Sequence, residues 1–351
     1  MRILVVGAGA LGGVIATKLT LAGFEVVALE SNQEHASACR MPGLLVELPD
    51  GSTVSARIEV VDDIDRLASF GSFDYALITL KAPKLAEVLG PLSSSGNIRT
   101  FVSLGNGLVQ PIIADIVGSA RLLVGTVSWG ATFVRPGHVR QTTLAPIAVG
   151  DPSGEQAQQL AALLPVLGEV AITHATDRVF GQIWSKLLLN SSLSGLGTVA
   201  GDVYSAVASD PTGRRLILDL WTEGFHVAQK LGVQLDEVAG IDPAELVVDG
   251  RREYDEAGLV LDSLMTSIGA TNASMLQDIR RGIKTEVDVI NGGVASAGRS
   301  TGMSTPLNDS VVAIVHRYER GELQPGFENL TLLRNLSDPS HDPATDSTAS
   351  K

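Results

Sequence analysis

The sequence predicts an α/β fold in which a half with a parallel sheet is followed by an all-α half. Up to about residue 176, short β-branched runs alternate with helical segments, and this alternation is typical of parallel strands joined by crossover helices. From Asp177 onward, helical periodicity continues with almost no strand signal. We therefore expect domains at 1–176 and 177–336. The tail at 337–351, where Ser, Thr, Asp and Pro dominate, is expected to be disordered.

Six short apolar runs are the predicted strands of the first half: Ile3–Val6, Glu25–Leu29, Tyr75–Leu80, Thr100–Leu104, Leu122–Val127 and Ile147–Val149. Between the second and third runs, Leu44–Leu48 and Val54–Val61 are predicted to form a hairpin. The residues between them, Pro49-Asp50-Gly51, are a turn-forming sequence.

A helix is predicted from Asp177, a suitable N-cap, to about Leu193. Five further helices follow in the second half: Pro211–Leu231, Leu259–Ile268, Met275–Arg281, Glu286–Arg299 and Pro306–Arg320. Pro306 suits its place because the first turn of a helix needs no N–H donor from it. The acid-rich segment Gln234–Arg252 is predicted to be a connector.

The composition limits the classes of binding partner and the cellular compartment that we expect for the protein. The 351 residues, 44% of them hydrophobic and 19% charged, are of ordinary globular type. The net charge of −13 argues against nucleic acid and an anionic membrane as partners, since both attract basic surfaces. The lone cysteine, Cys39, excludes an internal disulfide and a cysteine-built metal site, and no metal is expected. No uninterrupted apolar stretch approaches the roughly eighteen residues of a membrane span, so we expect a cytoplasmic protein.

A glycine motif, Gly7-Ala8-Gly9-Ala10-Leu11-Gly12, lies directly after the first strand and opens a helix that runs to about Ala22. Gly7 would make the tight turn, Gly9 would let the backbone approach a pyrophosphate, and Gly12 would allow close packing of helix on strand. Phosphates then meet free N–H groups and the positive end of the helix dipole. The motif predicts a Rossmann-type dinucleotide-binding domain. A glycine-rich turn without a ligand, and a fold that holds a flavin or a methyl donor, are the alternatives.

Glu30 ends the second strand, where an acidic residue holds the adenosine ribose in such folds. A carboxylate accepts hydrogen bonds from the 2′-hydroxyl but repels a 2′-phosphate, which an arginine would bind. The nearest arginine downstream is Arg40. NAD(H) is therefore favoured, and NADP(H) stays open because Glu30 could also be a solvated strand end.

Three polar segments stand out from their apolar surroundings. Lys186, Asn190 and Ser194 are spaced to share one face of a helix. The second segment reads Ser274-Met275-Leu276-Gln277-Asp278-Ile279-Arg280, followed by Lys284-Thr285-Glu286-Val287-Asp288 and Ile290-Asn291-Gly292. The third comprises Lys81, after one predicted strand, and Asn106, after the next.

With these segments the chain resembles the ketopantoate reductase (2-dehydropantoate 2-reductase) family over nearly all of residues 1–320. The resemblance implies a Rossmann domain and a helical C-terminal domain like that of 6-phosphogluconate dehydrogenase, with the active site in the cleft between them. It also implies hydride transfer from NAD(P)H to a small 2-oxo acid, which in this family is 2-dehydropantoate. The product would be D-pantoate, used in pantothenate biosynthesis.

The resemblance also implies roles for individual residues. Lys186 matches the family's catalytic lysine, and Glu286 matches the acid that contacts substrate and cofactor. Asn190 and Ser274 match substrate-binding positions, and Ser194 takes the place of a second asparagine that many members have. Lys81 and Asn106 match residues that line the cofactor cleft.

The chemistry of carbonyl reduction agrees with these roles, because charge grows on the oxygen as the hydride arrives. A lysine among apolar residues can have its pKa lowered by desolvation, so that it gives up a proton readily. Its cation also stabilises the developing alkoxide. Taken singly, Lys186 would be an ordinary solvated lysine, Glu286 a first-turn acid favoured by the helix dipole, and Ser274 an N-cap.

Other functions stay open. Ser194 and Glu30 allow an NAD-dependent D-2-hydroxy-acid dehydrogenase that acts on another branched or aromatic 2-oxo acid. A non-catalytic NAD-binding sensor on the same fold is a further alternative. A His–Asp dehydrogenase mechanism has little support, since His138, His174 and His226 lie outside any motif. Helical domains of this kind often pair with a second copy, so a homodimer is one expectation for the assembly.

Overall fold

An eight-stranded sheet organises the first of two units in the computed structural model, Met1–Val179 and Phe180–Lys351. The structure describes residues 1–249 and 254–337. The predicted tail therefore lies outside the described residues from 338 onward, as do residues 250–252 of the predicted connector.

The strands of the first unit are β1 (Arg2–Val6), β2 (Glu25–Leu29), β3 (Leu44–Glu47), β4 (Thr53–Ala56), β5 (Glu59–Val61), β6 (Phe73–Ile78), β7 (Ile98–Ser103), β8 (Leu122–Val127), β9 (Ala131–Arg135), β10 (His138–Gln141), β11 (Ile147–Gly150) and β12 (Thr173–Ala175). The large sheet has the order β12-β11-β8-β7-β6-β1-β2-β5. Its neighbouring strands are parallel except at β11, which runs antiparallel to β8. From β5 to β8 this is the strand order 3-2-1-4-5-6 of a Rossmann fold, and the predicted fold class is confirmed.

A second, four-stranded sheet, in the order β4-β3-β10-β9, was not expected from the sequence. The predicted hairpin exists, but its second strand ends at Ala56. The residues Glu59–Val61 instead pair in parallel with β2 in the large sheet. The sequence pattern runs through the break because both strands are β-branched, so periodicity alone does not show where one sheet gives way to the other.

The helices of the described residues are α1 (Ala10–Leu21), α2 (Gln33–Ala38), α3 (Leu85–Ser94), α4 (Gln110–Val117), α5 (Ala157–Gly168), α6 (Val179–Leu189), α7 (Gly195–Ala200), α8 (Tyr204–Ser209), α9 (Pro211–Lys230), α10 (Tyr254–Ile268), α11 (Ser274–Arg280), α12 (Asn291–Thr301), α13 (Pro306–Glu319) and α14 (Glu328–Ser337). The all-α character of the second unit is as predicted. The start of α9 is set by local interactions. The Asp210 side chain accepts a hydrogen bond from Gly213 N–H at 2.8 Å, and Pro211 occupies the first turn.

Two predicted helices have different bounds in the structure. The helix expected to run to Leu193 ends at Leu189 and continues as a π-helical turn, Asn190–Ser194. The helix expected from Glu286 begins only at Asn291. Glu286 lies in the preceding turn, where its carbonyl accepts hydrogen bonds from the N–H groups of Val289 and Ile290. The sequence did not predict α8, which is short, or α14, which lies near the polar tail.

The described part of the predicted connector packs on two helices of its own unit. Asp236 N–H donates to Ser185 Oγ at 3.0 Å, and Trp221 Nε1 donates to the carbonyl of Pro243 at 2.9 Å. A Cβ on Gly181 would lie 2.1 Å from the carbonyl oxygen of Gln234, so α6 approaches this segment closely. The connector therefore packs against the helix that carries Lys186 and stabilises its position.

Candidate active site

The loop after β1 has the three features that a dinucleotide-binding turn needs: a left-handed glycine, open space beside the backbone and close packing of the helix. Gly7 has a φ of 93°, a left-handed conformation that favours glycine. A Cβ on Gly9 would meet nothing within 4 Å, so the space beside the loop is open there. A Cβ on Gly12 would lie 1.9 Å from the carbonyl oxygen of Gly7, so only glycine lets α1 pack this closely.

Thr79, which sequence reasoning missed, fixes the same loop from β6. Its hydroxyl donates to the carbonyl of Gly7 at 2.7 Å. The Gly7 N–H in turn donates to the carbonyl of Leu29 at 2.9 Å, which ties the loop to β2. The signal that could have found Thr79 is a polar residue that directly follows a buried strand, next in the sheet to the strand before the glycines.

Glu30 is half-buried at the end of β2, and its carboxylate reaches back to the loop. Its Oε2 accepts a hydrogen bond from Ala8 N–H at 3.1 Å, and its Oε1 accepts one from Asn32 N–H at 2.9 Å. Each carboxylate oxygen has a second lone pair, so both can still accept a hydroxyl. The carboxylate is thus held rigidly beside the glycine turn.

Lys81 follows β6, the neighbour of β1 in the sheet, and Asn106 follows β7, the strand beyond β6. Parallel strands end at the same edge, so both residues lie at the edge that carries the glycine loop. Both side chains are half-buried. The first unit therefore gathers the glycine loop, Glu30, Lys81 and Asn106 at the carboxyl edge of one sheet, where α/β folds bind ligands.

Lys186 and Glu286 are brought together in the second unit, although they lie a hundred positions apart. Lys186 is half-buried as a whole, yet desolvation of its amino group lowers its pKa from 10.5 to about 8, and the charge of Glu286 opposes that shift. Glu286 is only 5% exposed. A buried carboxylate beside a desolvated amine keeps the amine charged at neutral pH while leaving it a stronger acid than an ordinary lysine.

The π-helical turn begins four residues after Lys186 and carries Asn190 and Ser194. Asn190 is half-buried. Ser194 is 1% exposed, and its Oγ forms no hydrogen bond of good geometry within the described residues. Burial raises the pKa of Tyr204 to about 12, and the nearby Ser194 hydroxyl opposes this only in part. A wider π turn inside a helix is often found at functional sites.

Ser274 is the first residue of α11, and the helix is preceded by Ala273, which makes no capping hydrogen bond. The expected N-cap role of Ser274 is therefore wrong. Its side chain is exposed. Ala273 lies close to α7, since a Cβ on Gly197 would be 3.3 Å from the Ala273 Cβ, and Ser274 starts its helix next to the segment that follows the π turn.

Asn291, which stands at the start of α12, joins the turn of Glu286 to the π turn. Its Nδ2 donates to the carbonyl of Ser191 at 2.9 Å and to Asn308 Oδ1 at 3.0 Å. Asn308 Nδ2 donates to Glu223 Oε2 at 2.9 Å. Asn291 and Asn308 are fully buried, so this chain of amides fixes the relative places of α9, α12, α13 and the π turn.

Within the described residues, the histidines and the cysteine show no second catalytic arrangement. His316 Nε2 lies 2.8 Å from Asp288 Oδ1, but the pair is on the surface. His138 begins β10. Burial raises the pKa of Cys39 to about 12, which makes it a poor nucleophile. Within residues 1–249 and 254–337, no cluster of three or more His, Cys, Asp or Glu side chains could hold a metal ion.

Comparison with known families tests the resemblance inferred from the motifs. Residues 3–154 match the model described as "Ketopantoate reductase PanE/ApbA", and residues 178–319 match "Ketopantoate reductase PanE/ApbA C terminal". The chain belongs to the ketopantoate reductase family. The family resemblance stated from the motifs is thereby confirmed, and the protein is an NAD(P)-dependent oxidoreductase with a nicotinamide cofactor.

Relatives of known name agree over the full length. A 2-dehydropantoate 2-reductase of Mesorhizobium japonicum is 27% identical, with 92% of this chain and 99% of the relative covered. The enzyme of the same name from Aquifex aeolicus is 25% identical, with 91% and 97% covered.

Solved structures show the same fold. A D-mandelate dehydrogenase in complex with NADH and anilino(oxo)acetate has a TM-score of 0.77 at 23% identity, with 92% of this chain and 99% of that chain covered. A PanE/ApbA family ketopantoate reductase from Ralstonia eutropha has a TM-score of 0.75 at 22% identity, with the same coverage. No helix in the part of the chain that the structure describes is long and apolar enough to cross a membrane.

Proposed function

We propose that the protein reduces 2-dehydropantoate to D-pantoate with NADH, with Lys186 as the general acid. The observation that carries this proposal is the placement of Lys186 beside the buried carboxylate of Glu286, where desolvation lowers the lysine pKa to about 8 and the charge of Glu286 opposes that shift. Lysines without a function rarely have their amino group desolvated next to a buried carboxylate. Pantoate formation is supported by the names of the relatives.

The residues of the first unit fit a nicotinamide dinucleotide. The open space at Gly9 admits a pyrophosphate, and the N-terminus of α1 offers its N–H groups and positive dipole end. Glu30 would accept hydrogen bonds from the adenosine ribose. We infer NAD(H) rather than NADP(H), because a held carboxylate here repels a 2′-phosphate. Lys81 and Asn106 would line the same site.

A reduced nicotinamide held by the first unit would supply the hydride for the carbonyl carbon. Lys186 Nζ donates a proton to the carbonyl oxygen, which is left as the hydroxyl of the product. Before the transfer, the ammonium stabilises the negative charge that grows on this oxygen. Glu286 would keep the ammonium protonated and accept a hydrogen bond from the new hydroxyl, and the family resemblance implies that it would also contact the cofactor. Asn190, Ser194 and Ser274 would bind the substrate, as polar groups that add no competing charge.

Replacement of Lys186 tests the proposal directly. Lys186→Ala should lower kcat for 2-dehydropantoate by a factor on the order of 10² to 10⁴, the range for a lost general acid. The matched control is Lys230→Ala, since Lys230 is exposed at the end of α9. Loss of NADH absorbance at 340 nm, about where reduced nicotinamides absorb, measures both. Turnover by Lys186→Ala close to that of the control would refute the role of the lysine.

A second candidate is an NAD-dependent reductase of a bulkier branched or aromatic 2-oxo acid. The observation in its favour is Ser194, which is smaller than the asparagine of many family members, together with the likeness to a D-mandelate dehydrogenase that binds NADH. The ratio of kcat/KM for a phenyl-substituted 2-oxo acid to that for 2-dehydropantoate separates the two. A ratio above one would favour the second candidate.

A further inference from the structure

His35 is a fully buried polar residue that the reaction does not use. It lies in the first turn of α2, is 1% exposed, and its N–H donates to the capping Asn32 Oδ1 at 2.9 Å. Its ring packs edge-on against Phe133, with ring centroids 4.9 Å apart. The ring orientation is therefore fixed by packing as well as by hydrogen bonds.

Both ring nitrogens of His35 bind backbone groups. Gly137 N–H donates to Nδ1 at 3.0 Å, so Nδ1 must present a lone pair. The ring proton of the neutral imidazole then belongs to Nε2, which lies 2.8 Å from the carbonyl oxygen of Ala8 and donates to it. The hydrogen-bond network thus assigns the tautomer, and one side chain connects the second sheet to the glycine loop.

The anchor at Gly137 is itself firmly held. Its carbonyl accepts a hydrogen bond from Leu45 N–H in β3 at 3.0 Å. A Cβ on Gly137 would lie 2.7 Å from the Cβ of Ala38, so this turn packs tightly on α2. Because the Gly137 turn is fixed, the His35 ring that it binds is held in place, and the ring in turn holds the Ala8 carbonyl.

The consequence for the loop follows from peptide geometry. In a trans planar peptide the C=O of one residue and the N–H of the next point in opposite directions. With Ala8 C=O held toward His35, Gly9 N–H points away from it. Ala8 N–H is held in turn by Glu30 Oε2 at 3.1 Å, so both polar groups of Ala8 are fixed. A carbonyl released from His35 could turn toward the phosphates and repel them.

We propose that His35 is a positioning residue for the dinucleotide: by holding the Ala8 carbonyl, it presents the Gly9 N–H to the pyrophosphate. This inference rests on the proposed cofactor site and is independent of which 2-oxo acid is reduced. Because Glu30 and His35 follow the same strand, the segment from 30 to 35 sets both the ribose contact and the pyrophosphate contact.

Two variants of His35 separate its two hydrogen bonds. In His35→Asn, the amide oxygen lies where Nδ1 was and can accept from Gly137, but the side chain is too short to reach Ala8. In His35→Gln, the amide nitrogen lies where Nε2 was and can still donate to Ala8. His35→Asn loses the hydrogen bond to Ala8 and a weak 3.6 Å contact of Nε2 with Cys39 Sγ, and His35→Gln loses the hydrogen bond from Gly137. Since the sulfur contact contributes little, the two variants should unfold at similar temperatures.

The probe is ADP-ribose, which contains the pyrophosphate but no nicotinamide, titrated by calorimetry. We expect His35→Asn to weaken binding by roughly three- to tenfold, the worth of one hydrogen bond, and His35→Gln to bind within about twofold of the unaltered protein. With NADH and substrate, KM for NADH should rise in His35→Asn while kcat at saturating NADH and KM for the 2-oxo acid stay unchanged.

Equal ADP-ribose affinity in His35→Asn and the unaltered protein would overturn the inference. Equal weakening in both variants would also overturn it, since it would show a general structural role. Failure of the unaltered protein to bind ADP-ribose at all would instead remove the proposed cofactor site, and the inference with it.

Discussion

At Lys186, burial and the charge of Glu286 have opposite effects on the pKa of the amino group. Burial favours the neutral amine, and the carboxylate favours the ammonium, with a resulting lysine pKa of about 8. In the proposed mechanism the ammonium is the active form for reduction, so we expect the rate to fall as the pH rises past this value.

Glu286→Gln removes the charge that supports the ammonium. The pKa of Lys186 should then fall further below its ordinary value, and the alkaline limb of the kcat/KM profile for reduction should move to lower pH. The control is Asp288→Asn, since Asp288 is an exposed carboxylate two positions away that pairs with His316. An alkaline limb that stays in place in Glu286→Gln, or that moves equally in the control, would contradict the electrostatic role of Glu286.

Glu30 should determine the choice between the two nicotinamide cofactors. Glu30→Ser with Ser31→Arg replaces a held carboxylate by a cation suited to a 2′-phosphate, and the ratio of kcat/KM for NADH to that for NADPH should fall at least about tenfold. Ser31→Arg alone is the matched control, because it keeps the carboxylate. If the unaltered protein already prefers NADPH, the interpretation of Glu30 is wrong.

At the scale of elements, the glycine loop and its helix were foreseeable because strand, turn and helix are adjacent in sequence. The same holds for β1, β2 and β8, whose bounds agree with the predicted runs to within one residue. His35 and Thr79 were not foreseeable in their roles, since their partners in the loop lie 27 and 72 positions away. The turn at Glu286 was missed because its helical periodicity continues into α12, although the helix starts only at Asn291.

Gly9 and Gly12 should respond differently to the same small change. Gly12→Ala places a Cβ 1.9 Å from the Gly7 carbonyl oxygen and should lower the free energy of unfolding by about 1–3 kcal/mol or more. Gly9→Ala meets no neighbour within 4 Å and should change it by less than about 1 kcal/mol.

For ADP-ribose affinity we expect the opposite order, with the larger effect in Gly9→Ala. In Gly9→Ala the added methyl group occupies the space that the pyrophosphate needs, so ADP-ribose affinity should fall while the fold persists. Thermal unfolding and calorimetric titration of the two proteins give both quantities. Normal ADP-ribose binding by Gly9→Ala would show that the loop does not approach a phosphate.

At the scale of the whole molecule, composition and motif order sufficed for the family and the fold class, while the second sheet and the substrate did not follow from them. The second sheet depends on β10, which pairs with β3 of a hairpin about 90 positions earlier in the chain and with β9 on its other side. Such non-local pairing leaves no periodic signal in a single sequence.

The central claim is that one chain joins a nicotinamide-binding sheet to a lysine that protonates a 2-oxo acid. A panel of 2-oxo acids, assayed with NADH and NADPH side by side, tests it most directly. We expect NADH to be oxidised fastest with 2-dehydropantoate, and more efficiently than NADPH. Absence of oxidation of either cofactor by every acid in the panel would contradict the claim.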